Sequence, residues 1–531
     1  MFRNYRRVTV LVLCLFLIIG CLCPTVVADD DVRDEVAKIV EENYVDPVSL
    51  DVLTAPTVKE MLKRLGDPYA RYLTQEEYQE ELEALDGNFV GVGIYITGGS
   101  DGVQVLSVIK DSPAEKAGLK KNDIIIAADE TTLVGIDADK AMEILRGTVG
   151  STVVLKVKRE GQVLSFNITR EKVEVPTVHP EMLDKGLGYL GIDDFGQRTP
   201  EELQKAVKSL HKAKADNWIV DLRGNPGGYL ESAIDIAGVF MGEAPVVVVE
   251  EREAVEGYTG TPGDVFIDGA MVLLQDEYSA SAAEILAGAL RDNQRAILIG
   301  KTTYGKGTVQ QIFPLSNGDK LKITIARFYS PAGEEINGEG IKPDIEVEDE
   351  NCLAAAKLIL SDNRDTVHGS MMALQLDSFV AAVDISRLRQ TGYWKAWADI
   401  VDGIGDAPVY YGNDSKWTEL SSEERKLQWP YYYPGYEFIG DISDQDISID
   451  MKTALNERYV NDFNIELINA DSGQRIKSEL KVVNDSTFSC EPLNPLEPGE
   501  YWLVIHDTLR FTDGQRLPQG QIGRLTWGRS Y

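Results

Sequence analysis

Met271 to Gln311 read MVLLQDEYSASAAEILAGALRDNQRAILIGKTTYGKGTVQQ, and the fold class follows from how that stretch alternates. Met271 to Leu274 is a short apolar run of the kind a buried strand shows. Ala282 to Leu290 then carries apolar residues at helical spacing, and Ala296 to Ile299 reads as a second buried strand. Gly305-Lys306-Gly307 interrupts the chain, and Val309 to Ile312 resumes in extended form. Strand, helix, strand at this spacing is an α/β layer. Ser281 falls between strand and helix, where the free amides of a helix start stabilise developing negative charge. Lys306, framed by two glycines, can approach another group closely because its neighbours add no bulk. Serine needs a proton acceptor beside it to act as a nucleophile, and a lysine whose pKa burial has lowered can serve. On these two residues alone, a helix-capping serine and a surface-loop lysine are the commoner reading, because such residues are frequent at these places.

The pattern around them resembles that of the C-terminal processing peptidases, or tail-specific proteases. In that family a small-residue serine motif is followed by Glu, then a Gly-Lys-Gly turn, then Gln four positions after the lysine. Here those places hold Ser281, Glu284, Lys306 and Gln310. The resemblance implies that Ser281 is the nucleophile, Lys306 the general base and Gln310 the residue that orients the lysine. Ser279 is a competing serine at the wrong offset for the family. The core then spans 174–365 and is expected to have the family's α/β, crotonase-like form.

A second glycine-rich stretch lies upstream. Asn217 to Leu222 reads as a strand that runs into Asp221-Leu222-Arg223-Gly224-Asn225-Pro226-Gly227-Gly228. Three glycines and a proline there exclude a helix or strand interior. They build a tight turn with exposed amides before a helix from Tyr229, as an oxyanion hole requires. The expected donors are the N–H of Gly227 or Gly228 and that of Ala282. Asp221 reads as a brace for the turn and Asn225 as a turn residue. Glu284, three residues after Ser281, shares its side of the helix and is either a support for the site network or a surface glutamate. Gly188 to Ile192 and the alternating Leu321, Ile323 and Ile325 are further core strands.

Residues 87–173 resemble a PDZ domain. Gly91-Val92-Gly93-Ile94 is a glycine turn opening onto an alternating strand; Val103 to Val108, a short helix from Ser112 to Gly118, a strand near Ile124, a helix from Asp137 to Leu145 and a closing strand at Val153 to Arg159 follow. In such a module the amides of Gly91 to Gly93 receive a terminal carboxylate and the peptide adds as a strand. Apolar Val92 and Ile94 would favour an apolar last residue. Arg146 either couples this domain to the protease core or is an exposed arginine at a helix end. Residues 29–86 read as helices, with Val32, Val36, Ile39 and Val40 on one face. Their Gly66-Asp67-Pro68-Tyr69 turn is expected to be a packing element, and the resemblance adds a role in homodimerisation.

The resemblance stops near residue 360. Residues 366–440 are unassigned but rich in Trp and Tyr, which suits the core of a small domain better than a ligand surface. Residues 441–531 alternate like strands and, around Pro498-Gly499-Glu500-Tyr501, resemble Ig-like sandwich modules.

Arg3, Arg6 and Arg7, an apolar Val8 to Leu22 and the small-residue Val26-Val27-Ala28 make residues 1–28 a secretory leader. Cleavage after Ala28, lipidation at Cys21 in Ile18-Ile19-Gly20-Cys21, or retention as a membrane anchor each put the body outside the cytoplasm. A net charge of −33 over 531 residues argues against nucleic acid as a partner. Four scattered histidines show no metal-ligand spacing, and no metal or other cofactor is implied. Cys352 and Cys490 lie in different expected domains and read as buried free thiols. The expectation is an extracytoplasmic serine endopeptidase acting on protein or peptide substrates with apolar C-termini. The alternative is an inactive PDZ-containing adaptor of the envelope.

Overall fold

The computed structural model describes residues 32–85, 88–361, 371–376, 379–413, 416–443 and 447–528. The leader of residues 1–28, with Cys14, Cys21 and Cys23, and also His368, lies outside them. The organising element is a six-stranded sheet in the order Val178–Asp184, Leu187–Ile192, Asn217–Asp221, Met271–Gln275, Ile297–Gly300 and Ile345–Glu346. The first pair is antiparallel and the other pairings are parallel. A parallel sheet is covered on both faces, so its strands are apolar throughout rather than alternating. Trp218, Val220, Leu273 and Leu298 pack on helices Thr199–Lys212, Leu230–Met241 and Ala282–Asp292. Ile219, Val272, Leu274 and Ile299 pack on the opposite side, against Asp349–Ile359 and Thr391–Gly403.

A second sheet joins distant parts of the chain. Lys320–Tyr329 pairs with Thr308–Pro314, with Pro245–Glu251 and with Arg71–Leu73 from the N-terminal segment. Val36, Val40 and Met61 of the N-terminal helices share one core with Leu321 and Ile323. The N-terminal segment is thus bolted to the strand beside the Gly305–Gly307 turn.

The PDZ-like unit has two strands more than the sequence suggested, Gln162–Thr169 and the short Thr131–Thr132 paired with Ile124–Ala128. Its sheet runs Ile94–Thr97, Val103–Val108, Ile124–Ala128, Thr152–Arg159, Gln162–Thr169. The strand read as closing instead turns at Glu160-Gly161, both at positive φ, and pairs along its length with Gln162–Thr169. That last strand is mostly exposed, so it lacks the apolar run that marks buried strands. The two helices begin and end as their caps dictate: Ser112 Oγ accepts from Glu115 N, Gly118 is left-handed, and Asp137 Oδ1 accepts from Lys140 N.

The aromatic-rich region is a core. Helix Thr391–Gly403 buries Trp394 and Trp397 against the rear of the protease sheet. Trp394 stacks on Tyr432 at 3.8 Å between ring centroids and lies 5.6 Å from Trp502. Its indole N–H donates to Ala470 O at 2.8 Å. Trp417, 37% exposed on the edge strand Lys416–Glu419, and Phe438, 40% exposed, are exceptions. The C-terminal unit comprises a five-stranded and a three-stranded sheet around Phe488, Tyr501, Leu503 and Leu525. Its first strand starts at Glu437, earlier than the expected boundary at 441. Cys352 and Cys490 are buried free thiols, and burial pushes the Cys352 thiol up to about 12.

Candidate active site

Ser281 caps helix Ala282–Asp292 at φ 55° and ψ −115°. That backbone is strained for a residue with a side chain, and several contacts hold it. Ala280 N donates to Asn225 O at 2.9 Å. Gly227 lies flat against the serine: a Cβ there would come within 2.8 Å of Ser281 Cβ. Ser281 N donates to Glu284 Oε2 at 2.8 Å.

Glu284 is not a surface glutamate. It is wholly buried, and its carboxylate accepts from Thr303 Oγ1 at 2.5 Å, Gly305 N at 2.7 Å and Lys306 N at 2.8 Å, in addition to Ser281 N. One oxygen, Oε2, therefore holds the amides of both Ser281 and Lys306. Burial pushes this carboxyl above its ordinary range, against four donors that pull it down. The strong unpaired-charge penalty of a buried carboxylate is met by these donors.

The upstream turn is braced as expected. Asp221, fully buried, accepts from Arg223 N, Nε and Nη2 and from the Tyr189 hydroxyl. Asn225 Nδ2 donates to Ile192 O, and its Oδ1 accepts from Gly227 N at 2.8 Å. The Gly227 amide is thereby committed to Asn225. Among the described residues the N–H groups of Gly228 and Ala282 take no protein acceptor. Asp276, which sequence reasoning missed, ties the two turns: its Oδ1 accepts from Gly224 N at 2.9 Å and from Ser279 N at 3.0 Å. The signal for it was an Asp directly after a strand, where side chains commonly close Asx turns. Ser279 itself is buried and donates to Leu222 O at 2.9 Å, so it is spoken for.

Lys306 is half-buried, and burial together with the nearby Lys322 ammonium brings its amine down to about 8; Glu81, Glu284 and Asp67 oppose that. Its Nζ stands 5.0 Å from the centroid of the Tyr69 ring. Among the described residues it makes no hydrogen bond to Ser281 or Gln310. Gln310 Nε2 instead donates to Thr308 Oγ1 at 2.9 Å and more loosely to Thr324 Oγ1. The backbones of serine and lysine are brought together; the lysine amine and the Gln310 amide are not yet joined to the serine.

In the PDZ-like unit, Gly93 sits at φ 85° with Ser112 packed where a Cβ would be. Its carbonyl is taken by Ile109 N and Ser112 Oγ, while the amides of Val92 and Gly93 take no acceptor among the described residues. Val92 is only 2% exposed and belongs to the unit's core; of the two apolar residues, only Ile94 is partly open. Gly91 lies in Asn88–Gly91, which pairs with Glu171–Glu174 as the two connections to the core. Arg146 is exposed at its helix end, and its side chain makes no hydrogen bond or ion pair among the described residues.

The family model "Peptidase family S41" matches residues 186–347 and "PDZ domain" matches 90–169. The carboxy-terminal processing protease CtpB of Bacillus subtilis is 34% identical over 65% of this chain and 75% of its own length. The carboxyl-terminal-processing protease of Picosynechococcus is 37% identical over 54% of this chain and 71% of its own. The solved photosystem II D1 C-terminal processing protease is 26% identical over 63% of this chain, with a TM-score of 0.40. With both family models matched in order along one chain and CtpB covered over 75% of its length at 34% identity, the chain belongs to the carboxy-terminal processing proteases, the PDZ-containing serine peptidases of family S41.

Proposed function

We propose that the chain is an extracytoplasmic endopeptidase that takes hold of protein C-terminal tails and cleaves them with Ser281, Lys306 and Gln310. The observation that carries this is the Glu284 carboxylate, which holds the Ser281 and Lys306 amides on one oxygen. A tail would add as a strand beside Ile94–Thr97, an edge strand of its sheet, with its carboxylate on the free amides of Val92 and Gly93. Lys306 then swings on its flexible stem to Ser281, with Gln310 turning from Thr308 to hold it. As the neutral amine, it accepts the hydroxyl proton while Ser281 Oγ attacks the scissile carbonyl. Gly228 N–H and Ala282 N–H receive the oxyanion, since Gly227 N–H is already engaged. The ammonium returns its proton to the leaving amine, and water releases the acyl group by the same route.

The extracytoplasmic setting rests on the leader of residues 1–28; among the described residues no helix is long and apolar enough to cross a membrane. The layering of the 174–365 core is read as crotonase-like, and the two-sheet C-terminal unit as an Ig-like spacer.

A fluorophosphonate probe tests the reading against that of an inactive adaptor. Labelling at Ser281, lost in Ser281→Ala and raised by an apolar-tailed peptide, is the expected result. A chain that hydrolyses peptides equally well as Ser281→Ala would overturn it.

A further inference from the structure

The Gly66-Asp67-Pro68-Tyr69 turn reads from the sequence as a packing element to which the resemblance adds a role in homodimerisation. It belongs to the N-terminal segment, yet it ends beside the base of the active site. Arg71–Leu73, directly after it, pairs with Lys320–Leu321-Lys322 of the strand next to the Gly305–Gly307 turn. This registration brings the Tyr69 ring beneath Lys306 Nζ. Asp67 Oδ1 accepts from Tyr69 N at 2.9 Å and so fixes the turn. Asp67 Oδ2 is buried and, among the described residues, has no hydrogen-bond partner, and the same holds for Glu81 Oε2 of the following helix, Gln75–Leu85. Glu81 Oε1 pairs with Lys322.

We propose that the Asp67–Tyr69 turn is a positioning element for the catalytic lysine: Tyr69 holds the amine by its ring face and stabilises it once it has taken the serine proton, while Asp67 adds to the negative charge of Glu81 and Glu284. The inference rests on the Ser281–Lys306 reading. A cation over an aromatic face is attracted, more so when water is excluded. An amine that must be neutral to start and charged midway gains from a partner that favours the charged form without capturing the proton. A phenyl ring is such a partner, and burial keeps the Tyr69 phenol protonated by pushing it up to about 12. The groups that face Lys306 are Tyr69 and Asp67 from the turn, Glu81 from the helix after it, Lys322 from the paired strand and Glu284 from the serine helix, while Tyr304 from the lysine's own loop lies beside Tyr69. Of these, Tyr69 alone offers a neutral surface to the amine.

The test is the pH profile of kcat and kcat/KM for the full chain on an apolar-tailed peptide. Tyr69→Leu is expected to move the acid limb down by about one pH unit and to lower the plateau kcat about tenfold, with KM little changed. Tyr69→Phe, which keeps the ring, is expected to restore limb and plateau. Asp67→Asn, which still accepts from Tyr69 N, is expected to lower the limb without the loss of kcat, and it decides the matter should Tyr69→Leu not fold. A wild-type limb in both Tyr69→Leu and Asp67→Asn overturns the proposal, as does equal damage by Leu and Phe. Lys306→Ala run alongside separates the two readings: hydrolysis by that variant sinks the Ser–Lys assignment, whereas its inactivity with an unmoved Tyr69→Leu limb sinks only the role of the turn.

Discussion

The serine half of the site and the lysine half are built on different principles. Around Ser281 each support comes from the protease core: Asn225 O, Asp276, the face of Gly227 and Glu284. Its backbone is strained and over-determined, as nucleophiles on sharp turns are. Around Lys306 the protease core fixes only the backbone, through Glu284, and leaves the side chain to the Asp67–Tyr69 turn. The side chain lies against residues from the N-terminal segment and is not joined to the serine. If the two act as proposed, a rigid nucleophile met by a movable base suits an enzyme that must not cleave until a tail is in place.

The sharpest break of this contrast is to remove either member. Ser281→Ala or Lys306→Ala should each lower kcat by about 10⁴ or more, with an unchanged melting temperature. Glu284→Gln comes next, because it alone belongs to both halves. An amide cannot accept from all four donors, so activity should fall by about 10² or more and stability by about 2–4 kcal/mol; loss of activity with intact stability would mean that the clamp is not structural. Asn225→Ala should touch the serine half only. Freed from Oδ1, the Gly227 turn loosens, kcat drops about 10- to 100-fold and the acid limb stays where it was. For the wild type that limb should lie near pH 8, with activity rising as pH increases, because below it Lys306 is charged and cannot accept a proton. The same depressed amine makes stability rise with pH between about 8 and its ordinary 10.5. Arg146→Ala, on an exposed side chain, should change activity less than about twofold; a large effect would bring the PDZ-like unit into the lysine half.

Local patterns made much of this legible in the sequence. The strand, serine, helix and glycine turns fell where apolar runs and turn residues put them, because each is decided within a few residues. The aromatic density of 366–440 correctly announced a core, since side chains such as Trp394 and Tyr432 bury too much surface to be left open. Glu284 was half legible: its offset put it on the right side of the helix, but only the folded chain shows the donors that converge on it. Tyr69 beside Lys306 was not legible at all. That contact is made by strand pairing between segments far apart in the chain, and no local periodicity records it. The Gln162–Thr169 strand escaped for the opposite reason, being too exposed to show a buried strand's pattern.

The stacked Trp394 and Tyr432, with Trp502 reaching in from the last unit, weld three portions of the polypeptide along the back of the catalytic sheet. Heating should therefore dissolve the protease layer and the C-terminal strands in a single cooperative event, and truncating the chain after residue 436 should leave a greasy, aggregating remnant rather than a lighter working enzyme. The terminal module and the protease sheet share one core, so neither can reorient without the other.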